Sequence, residues 1–277
     1  MNIINSKISL SLKKKYTKLQ EYLAKYPSLL IAYSGGVDSS FLLKTASIIN
    51  RNTVCGVIAD SPSLSRRELK FALDLAKKHK MRVQIIKSTE LNDLNYQKNN
   101  MNRCFFCKTD LFNHLQNFAK KNNYLYIAEG TNYSDIKSHR PGHKAAEEKK
   151  ILSPLVDCKL TKADIRKLSA ILDLETKEKP QMACLASRLP YGESVSKKKL
   201  EKIEKAEAIL YELGFNELRV RYHENGKLAR IEVNPDEIKK LQLENIRKKI
   251  FIEFKKLGFL YTAIDIIGYR TGSANEN

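Results

Sequence analysis

Short apolar runs alternate with amphipathic segments through the first half of the chain. The apolar runs have the length and the β-branched content of buried strands, and the segments between them carry apolar residues at helical spacing. The predicted strands are Leu29–Tyr33, Val54–Ala59, Arg82–Lys87 and Tyr124–Ala128, and the predicted helices are Ser39–Ile49, Ser65–Lys80 and Lys108–Lys121, with another helix starting at Thr161. This alternation is typical of an α/β fold in which crossover helices connect the strands of a parallel sheet.

The regular pattern is interrupted twice. Residues 131–149 are polar, contain Arg140-Pro141-Gly142, and are predicted to form a long loop. Around residues 175–193 the periodicity stops at Pro180 and Pro190. Beyond this break the sequence predicts a long helix near 196–213, a hairpin that turns at Asn225-Gly226, one or two further helices and a last strand at Tyr261–Ile267. We therefore predict two domains: residues 1–180, with the parallel sheet, and residues 181–277, with a small α+β fold.

Composition argues against a membrane or nucleic-acid partner. The formal net charge is +19 over 277 residues, but the lysines are spread along the whole chain, as on solvated helix faces, and do not cluster in one patch. No apolar run approaches the roughly 20 residues that a membrane helix needs, and the N-terminus lacks the apolar core of a secretory signal. The sequence therefore predicts a cytoplasmic protein, and its charge still suits a phosphate-bearing substrate.

The strongest chemical signal is the segment Ser34-Gly35-Gly36-Val37-Asp38-Ser39-Ser40, between the first predicted strand and its helix. Two glycines allow a sharp turn that brings backbone N–H groups close to an anion, and the helix adds its free N-terminal amides. Ser34, Ser39 and Ser40 add hydroxyl groups, and Asp38 is a candidate ligand of Mg²⁺. The segment has no Gly-Lys-Ser/Thr and is not a Walker A loop; it resembles the PP-loop, which grips pyrophosphate while the α–β bond of ATP is broken. Asp60, after the second strand, is a further candidate nucleotide contact.

The five cysteines are an odd count, which favours metal binding or catalysis over a disulfide framework. Cys104-Phe105-Phe106-Cys107 lies where a loop enters a helix, a position that lowers thiol pKa and suits a metal. Cys184 lies in an irregular segment with Ser187 and Arg188, and Arg188 would favour the thiolate if the segment coils as one helical turn. A buried structural cysteine is the alternative for each site, and it is the interpretation given to Cys55.

Ten segments together resemble one known family from end to end. They are SGGVDSS, RCFFCK, EGTNYSD, RPG, ILSPL, LTKADIRKL, ACLASRLPYG, LGF, RVRYH and ARIEV. They are similar to the LarE family of ATP-dependent sulfur transferases, which act in the synthesis of the nickel-pincer nucleotide cofactor. The resemblance implies a PP-loop ATP-pyrophosphatase fold of the adenine nucleotide alpha hydrolase-like kind, with ATP and Mg²⁺ as cofactors. It also implies adenylation of a carboxylate on a pyridinium bis-carboxylic acid mononucleotide, followed by conversion to a thiocarboxylate.

The resemblance also implies roles for individual residues. In some members a cysteine that matches Cys184 gives up its own sulfur and becomes dehydroalanine. Other members hold a [4Fe-4S] cluster on three cysteines, for which this chain has Cys104, Cys107 and Cys184, and both routes stay open. The residues matched to catalysis are Cys184, Glu207, Arg188 and Ser187, and those matched to the substrate phosphate are Arg219 and Arg221, which share one face of a predicted strand. Family members form trimer-based assemblies, so we expect a homo-oligomer.

Other classes of protein share the phosphate loop. A tRNA-thiolating PP-loop enzyme would explain the positive charge and the cysteine trio, but neither zinc-finger cysteines nor an RNA-binding module is evident in the sequence. An ammonia-using amidotransferase of the NAD or GMP synthetase kind would need no cysteine trio. A nucleotide-binding regulator without catalysis is the alternative from another class, and release of pyrophosphate from ATP would separate it from all of the enzymes.

Overall fold

The computed structural model describes residues 9–137, 141–181 and 183–270, without the side chains of residues 137 and 141–143. The chain divides into two compact units. The first unit takes the chain up to residue 61, residues 66–90 and residues 104–182, and the second takes residues 62–65, residues 91–103 and the chain from residue 183 onwards. The sequence pattern gives no sign that two short segments of the first half belong to the second unit. The two contiguous domains, 1–180 and 181–277, stay a prediction.

The elements of the first half follow the predicted alternation of strands and helices. In chain order they are α1 (Leu10–Ala24), β1 (Leu29–Ala32), α2 (Val37–Ile49), β2 (Val54–Asp60), α3 (Arg66–Lys78), β3 (Val83–Lys87), α4 (Leu94–Gln97), α5 (Arg103–Lys121) and β4 (Tyr126–Ala128). Every predicted strand and helix of this half has a counterpart here. The pattern missed α1, whose buried side chains are spaced as on one helix face.

The four strands form one parallel sheet in the order β3-β2-β1-β4, which confirms the predicted α/β fold. The chain runs from β1 to β2 and β3 on one side and then returns to β4 on the other side of β1. Sheets of this kind bind ligands where the strand order reverses, outside the carboxyl ends of the strands. That position lies beyond β1 and β4. The core packed against these strands includes Leu30, Cys55, Val57, Phe112 and Leu115, so Cys55 is a core residue, as predicted.

The second half is more irregular. Its elements are α6 (Pro141–Glu148), α7 (Pro154–Asp157), α8 (Lys162–Ile171), α9 (Lys197–Glu212), β5 (Leu218–His223), β6 (Leu228–Val233), α10 (Glu244–Lys256) and β7 (Tyr261–Ile264). In the second unit β5 and β6 form an antiparallel hairpin that turns at Asn225-Gly226, as predicted, and β7 pairs with β6 in parallel. Within the described residues, no helix combines the length and the apolar character needed to cross a membrane.

Two predictions about the second half are wrong. Residues 131–149 do not form one long loop, because α6 occupies Pro141–Glu148. Pro141 is the first residue of this helix, where its fixed φ and missing N–H are well tolerated, so the Pro-Gly pair starts a helix and not a turn. Arg140 lies outside the described residues. The last strand ends at Ile264 and not at the predicted Ile267. The Asp265 carboxylate accepts hydrogen bonds from the N–H groups of Ile267 and Gly268, which bends the chain away from the strand direction.

A substitution at Gly35, between β1 and α2, can test how closely the loop is packed against α3. The φ of Gly35 is +68°, and a Cβ at this position would lie 2.5 Å from Cβ of Ala72 on α3. We expect Gly35→Ala to lower the free energy of unfolding by about 2–4 kcal/mol, because left-handed backbone strain adds to overpacking. Gly36 has a φ of −81° and would place its Cβ 3.3 Å from Oγ of Ser34. Gly36→Ala is therefore the control, with an expected loss below about 1 kcal/mol. Urea unfolding measures both, and equal losses would contradict the packing of Gly35.

Candidate functional site

The phosphate loop, defined as Ser34–Ser40, leaves the carboxyl end of β1 and enters α2. Gly36 is the N-cap residue of α2, and no side chain of the described residues caps the helix there. The loop hydroxyls bond among themselves: Oγ of Ser39 lies 3.1 Å from Oγ of Ser34 and accepts the N–H of Ser34 at 3.2 Å. Ser34 is exposed. The first amides of α2 and one accessible hydroxyl therefore form the kind of position that binds an anion.

Asp38, in the first turn of α2, forms an ion pair with Lys162, the first residue of α8. Its other oxygen, Oδ1, is buried and accepts no hydrogen bond of normal length from the described residues, although Asn132 lies near enough to lower the carboxyl pKa. Burial is the largest effect and raises the pKa of Asp38, while Lys162 opposes the shift. One carboxylate oxygen without a protein donor fits a single ligand of Mg²⁺, which nucleotide sites hold through one or two carboxylates and the phosphates.

The segment after β4 packs against the same turn of α2. Gly130 leaves no room for a side chain, since a Cβ there would lie 2.9 Å from the backbone nitrogen of Ser39. Its neighbour Glu129 is buried and forms an ion pair with Lys108 of α5 at 2.8 Å. Glu129 also accepts a hydrogen bond from the Oγ1 hydroxyl of Thr131 at 2.6 Å. The loop motif alone does not reveal that these residues adjoin it. The parallel pairing of β4 with β1 brings them there.

A partly buried lysine contacts the backbone of the phosphate loop. Nζ of Lys179 donates to the carbonyl oxygen of Gly35 at 3.1 Å and pairs with Glu68 of α3 at 2.7 Å. It also lies 3.8 Å from the ring centroid of Phe71, and its side chain is 11% exposed. Burial lowers the pKa of Lys179, and Glu68 opposes that shift. Lys162 and Lys179 are both remote from the loop in sequence, so the SGGVDSS segment gives no signal for either.

Ser40 and Asp60, two of the predicted nucleotide contacts, are already buried or paired within the protein. Ser40 is fully buried, which leaves Ser34 as the exposed hydroxyl of the loop. Asp60, at the end of β2, forms an ion pair with Arg66 of α3, whose guanidinium also donates to the carbonyl of Ser61 at 2.8 Å. Contacts of Ser40 and Asp60 with a nucleotide stay predictions.

Cys104 and Cys107 lie in the first two turns of α5, which begins at Arg103 and not at the predicted Lys108. They are three residues apart and share one face of the helix. Cys104 is exposed, and the thiol of Cys107 donates to Oε2 of the buried Glu90 at 2.9 Å. Across the described ranges, no three His, Cys, Asp or Glu side chains are grouped to hold a metal ion. Two thiols do not complete the ligand set of an iron–sulfur cluster, normally four cysteines, so the predicted cluster stays a prediction.

The second unit buries an arginine–glutamate pair next to Cys184 in the chain. Nε and Nη2 of Arg188 donate to the two carboxylate oxygens of Glu207 on α9 at 2.8 and 3.1 Å. Glu207 also accepts the backbone N–H of Val220 on β5 at 3.1 Å. Burial alone would lower the pKa of Arg188, but the charge of Glu207 more than compensates and the net pKa is raised. The Arg188 guanidinium therefore stays charged, and the pair joins the Cys184 segment to α9 and β5.

The backbone around Cys184 is held by arginine side chains. Residues 185–188 form a single 3-10 turn, and four carbonyl oxygens between residues 183 and 187 accept hydrogen bonds from three guanidinium groups. Arg188 donates to Ala183 and Cys184 at 2.7 and 3.0 Å, Arg103 donates to Ala186 at 3.0 Å, and Arg221 donates to Ser187 at 2.8 Å. Cys184 itself is exposed, so an accessible thiol stands on a firmly held backbone. The effect of Arg188 on the thiolate stays a prediction, as do the catalytic roles of Ser187 and Glu207.

Arg219 and Arg221 lie on one face of β5, as predicted, but their surroundings differ. Arg221 makes a bidentate ion pair with Glu232 at 2.8 and 2.9 Å. Arg219 is 5% exposed and donates to a backbone carbonyl and to the hydroxyl of Tyr269, whose ring centroid lies 4.8 Å from the guanidinium. Within the described part of the chain, no carboxylate forms an ion pair with Arg219. Burial lowers the pKa of Arg219, and the positive charge of Arg188 adds to that effect.

The Arg188–Glu207 pair can be tested by removing one charge. Glu207→Gln keeps the shape of the side chain but leaves a buried guanidinium without its anion, and we expect the free energy of unfolding to fall by about 3–5 kcal/mol. Glu201→Gln is the matched control on the same helix, because Glu201 is exposed and lies 3.8 Å from Lys197; its loss should stay below about 1 kcal/mol. Urea unfolding measures both variants. Equal stability of the two would mean that the buried pair is not formed.

Comparison with known proteins places the chain in a family. No family model matches it. An uncharacterized protein of Synechocystis sp. is 37% identical over 266 residues, which cover 96% of this chain and 98% of the relative. An uncharacterized protein of Methanocaldococcus jannaschii is 34% identical over 261 residues, 93% of this chain and 98% of the relative. The pyridinium-3,5-bisthiocarboxylic acid mononucleotide synthase of Lactiplantibacillus plantarum, a LarE protein, is 30% identical over 267 residues, 96% of this chain and 95% of the relative. The chain belongs to the LarE family.

Proposed function

We propose that the protein is an ATP-dependent sulfur transferase that converts a carboxylate of a pyridinium bis-carboxylic acid mononucleotide into a thiocarboxylate. The relative from Lactiplantibacillus plantarum is named for a bisthiocarboxylic acid mononucleotide, and the similarity spans nearly all of both chains. The observation that carries the ATP-dependent step is the phosphate loop, where the first amides of α2, Ser34 and Asp38 suit a polyphosphate. This arrangement fits a PP-loop pyrophosphatase of the adenine nucleotide alpha hydrolase-like kind.

The first step makes the carboxylate reactive. A carboxylate is a poor electrophile, because its leaving group would be oxide. An oxygen of the substrate carboxylate attacks the α-phosphorus of ATP, the bond to the bridging oxygen of the β-phosphate breaks, and an acyl adenylate and pyrophosphate form. The amides of α2 and the Ser34 hydroxyl stabilise the charge that develops on the departing pyrophosphate. Asp38 would hold Mg²⁺ through its Oδ1 atom, and the ion would supply positive charge to the phosphate groups.

In the second step, Cys184 delivers the sulfur. Its thiolate attacks the acyl carbon, AMP leaves, and a thioester forms. β-Elimination then moves the Cα proton to a base and breaks the Cβ–Sγ bond, which leaves sulfur on the product and dehydroalanine in the chain. The exposed thiol on its arginine-held backbone supports this role. Hydrosulfide held on an iron–sulfur cluster is the other route, and the two differ in the mass of the protein after one turnover, because only elimination removes sulfur from the chain.

Arg219 binds the phosphate of the mononucleotide in this proposal. A buried cation without an anionic partner is costly in the free protein, and a phosphate group would compensate its charge. The ring of Tyr269 makes a cation–π contact with the Arg219 guanidinium. Arg221 is already paired with Glu232, so its contribution is to hold the Ser187 carbonyl and with it the Cys184 segment. Its own contact with the phosphate stays a prediction.

Other functions use the same phosphate loop. A tRNA-thiolating enzyme would bind tRNA tightly, and an ammonia-using amidotransferase would not depend on Cys184. A regulator would bind ATP without releasing pyrophosphate. The relative from Lactiplantibacillus plantarum favours the mononucleotide substrate over these alternatives.

The first test concerns Asp38. Asp38→Asn keeps the size of the side chain but removes the charge that pairs with Lys162 and holds Mg²⁺. We expect pyrophosphate release from ATP to fall by roughly a hundredfold or more, because the lost interaction acts on charge that develops in the transition state. A pyrophosphate-coupled assay measures the rate, and Asp74→Asn, at an exposed position of α3, is the control. Appearance of ADP in place of AMP would rule out a PP-loop reaction.

The second test compares the two arginines of β5. Arg219→Met removes the cation that has no carboxylate partner among the described residues. We expect the free energy of binding the pyridinium bis-carboxylic acid mononucleotide to weaken by about 1.5–3 kcal/mol, the worth of a hydrogen bond to a charged group. The stability of this variant should not fall, because no carboxylate is left without a partner. Arg221→Met should instead lower stability, because Glu232 loses its bidentate partner. Calorimetric titration and urea unfolding measure the two effects. Unchanged affinity in Arg219→Met would remove Arg219 from the phosphate site.

A further inference from the structure

The peptide group between Gly35 and Gly36 has two possible orientations. Glycine on both sides removes most of the steric barrier to rotation of the peptide plane, and Gly35 already has a φ of +68°. In a trans peptide the C=O and N–H groups point in opposite directions. A rotated peptide would therefore present the Gly35 carbonyl where the Gly36 N–H now points. One orientation offers a donor to a phosphate group, and the other offers an acceptor that repels it.

In the structure this peptide is held on both sides. The Gly35 carbonyl accepts Nζ of Lys179 at 3.1 Å, and the Gly36 N–H donates to Oγ of Ser34 at 3.4 Å. The contact to Ser34 is long, and a serine hydroxyl rotates to suit its partners. Lys179 is fixed by its ion pair with Glu68 at 2.7 Å and by the ring of Phe71 at 3.8 Å. The lysine is therefore the firmer of the two restraints.

We propose that Lys179 is a positioning residue of the phosphate site, which locks the Gly35–Gly36 peptide with its N–H directed to the pyrophosphate portion of the nucleotide. The lysine acts through the Gly35 carbonyl and does not touch the ligand. This inference rests on the proposed function, since it assumes that the loop binds a polyphosphate. It explains why an ammonium group that already forms an ion pair with Glu68 also donates a hydrogen bond to the loop backbone.

The test separates binding of phosphate groups from general damage to the fold. Lys179→Met keeps a flexible side chain that can pack on Phe71 but removes the donor to Gly35. Calorimetric titration of the full chain with inorganic pyrophosphate, ATP and adenosine, in the presence of Mg²⁺, gives three affinities. We expect affinity for pyrophosphate and ATP to fall roughly 10- to 100-fold, as for a lost hydrogen bond from a charged group. Affinity for adenosine should stay the same, because adenosine has no phosphate for the Gly36 N–H.

Three further variants control for charge and folding. Lys167→Met removes one positive charge from an exposed position of α8 and should leave all three affinities unchanged. The double variant Glu68→Gln with Lys179→Met removes the charge imbalance of the single change, and it should lose pyrophosphate affinity to the same extent. Lys179→Arg keeps a cation and N–H donors, so its pyrophosphate affinity should be higher than that of Lys179→Met. If the methionine variant does not fold, the arginine variant can be compared with the wild type in its place.

A spectroscopic signature reports on the peptide itself. The chain has 11 glycines, so selective ¹⁵N-glycine labelling gives a simple amide spectrum in which the Gly36→Ala variant identifies the Gly36 signal. Pyrophosphate should shift that signal in the wild type and should shift it much less in Lys179→Met.

The outcomes have distinct meanings. Pyrophosphate affinity in Lys179→Met equal to that of the wild type would overturn the lock while leaving the proposed function intact. Parallel loss of adenosine and pyrophosphate affinity would also overturn it, because that result marks a general structural role. Wild-type protein that binds neither ATP nor pyrophosphate would overturn the proposed function, and the lock with it.

Discussion

A peptide group between two glycines rotates easily, so the contacts around it determine whether it presents a donor or an acceptor. In the first unit several such contacts meet at Gly35 and Gly36. Ala72 of α3 packs against Gly35, and Gly130, beyond β4, packs against the first turn of α2. Lys162 pairs with Asp38, and Lys179 donates to the Gly35 carbonyl. Each of these contacts comes from a different part of the chain, and the pairing of β4 with β1 brings Gly130 to the loop.

The second unit uses charge in a different way. Arg188 and Arg221 are buried, and each is matched by a buried glutamate that accepts it with both oxygens. Their remaining donors hold carbonyl groups of the segment that carries Cys184. Arg219 is the exception, since it is buried next to Arg188 and has an aromatic ring as its neighbour. Among the described residues, two buried ion pairs therefore hold the segment that carries Cys184, and Arg219 has no carboxylate partner.

Local signals in the sequence were enough to predict the α/β sheet and the position of the Ser34–Ser40 segment between β1 and α2. Alternating apolar runs indicate buried strands, and the Ser34-Gly35-Gly36 sequence directly after such a strand indicates a tight turn into a helix. The helix at Pro141 escaped prediction because the same Pro-Gly pair suits either a turn or a first helical turn. Lys162, Lys179 and Arg103 escaped it for another reason. Their roles depend on contacts with residues distant in sequence, and nothing in the local pattern separates them from other basic residues.

Those distant contacts have a consequence for how the protein is made. Lys162 lies 124 residues after Asp38, and Lys179 lies 144 residues after Gly35. Translation proceeds from the N-terminus, so the glycine turn leaves the ribosome long before either lysine has been added. Until then Ala72 and Gly130 can pack against the turn, but the contacts with the two lysines are missing. A nascent or truncated chain that ends before residue 179 would therefore carry the complete SGGVDSS motif without the contact that Lys179 makes to the Gly35 carbonyl, and this contact can form only when synthesis of the first unit is almost finished.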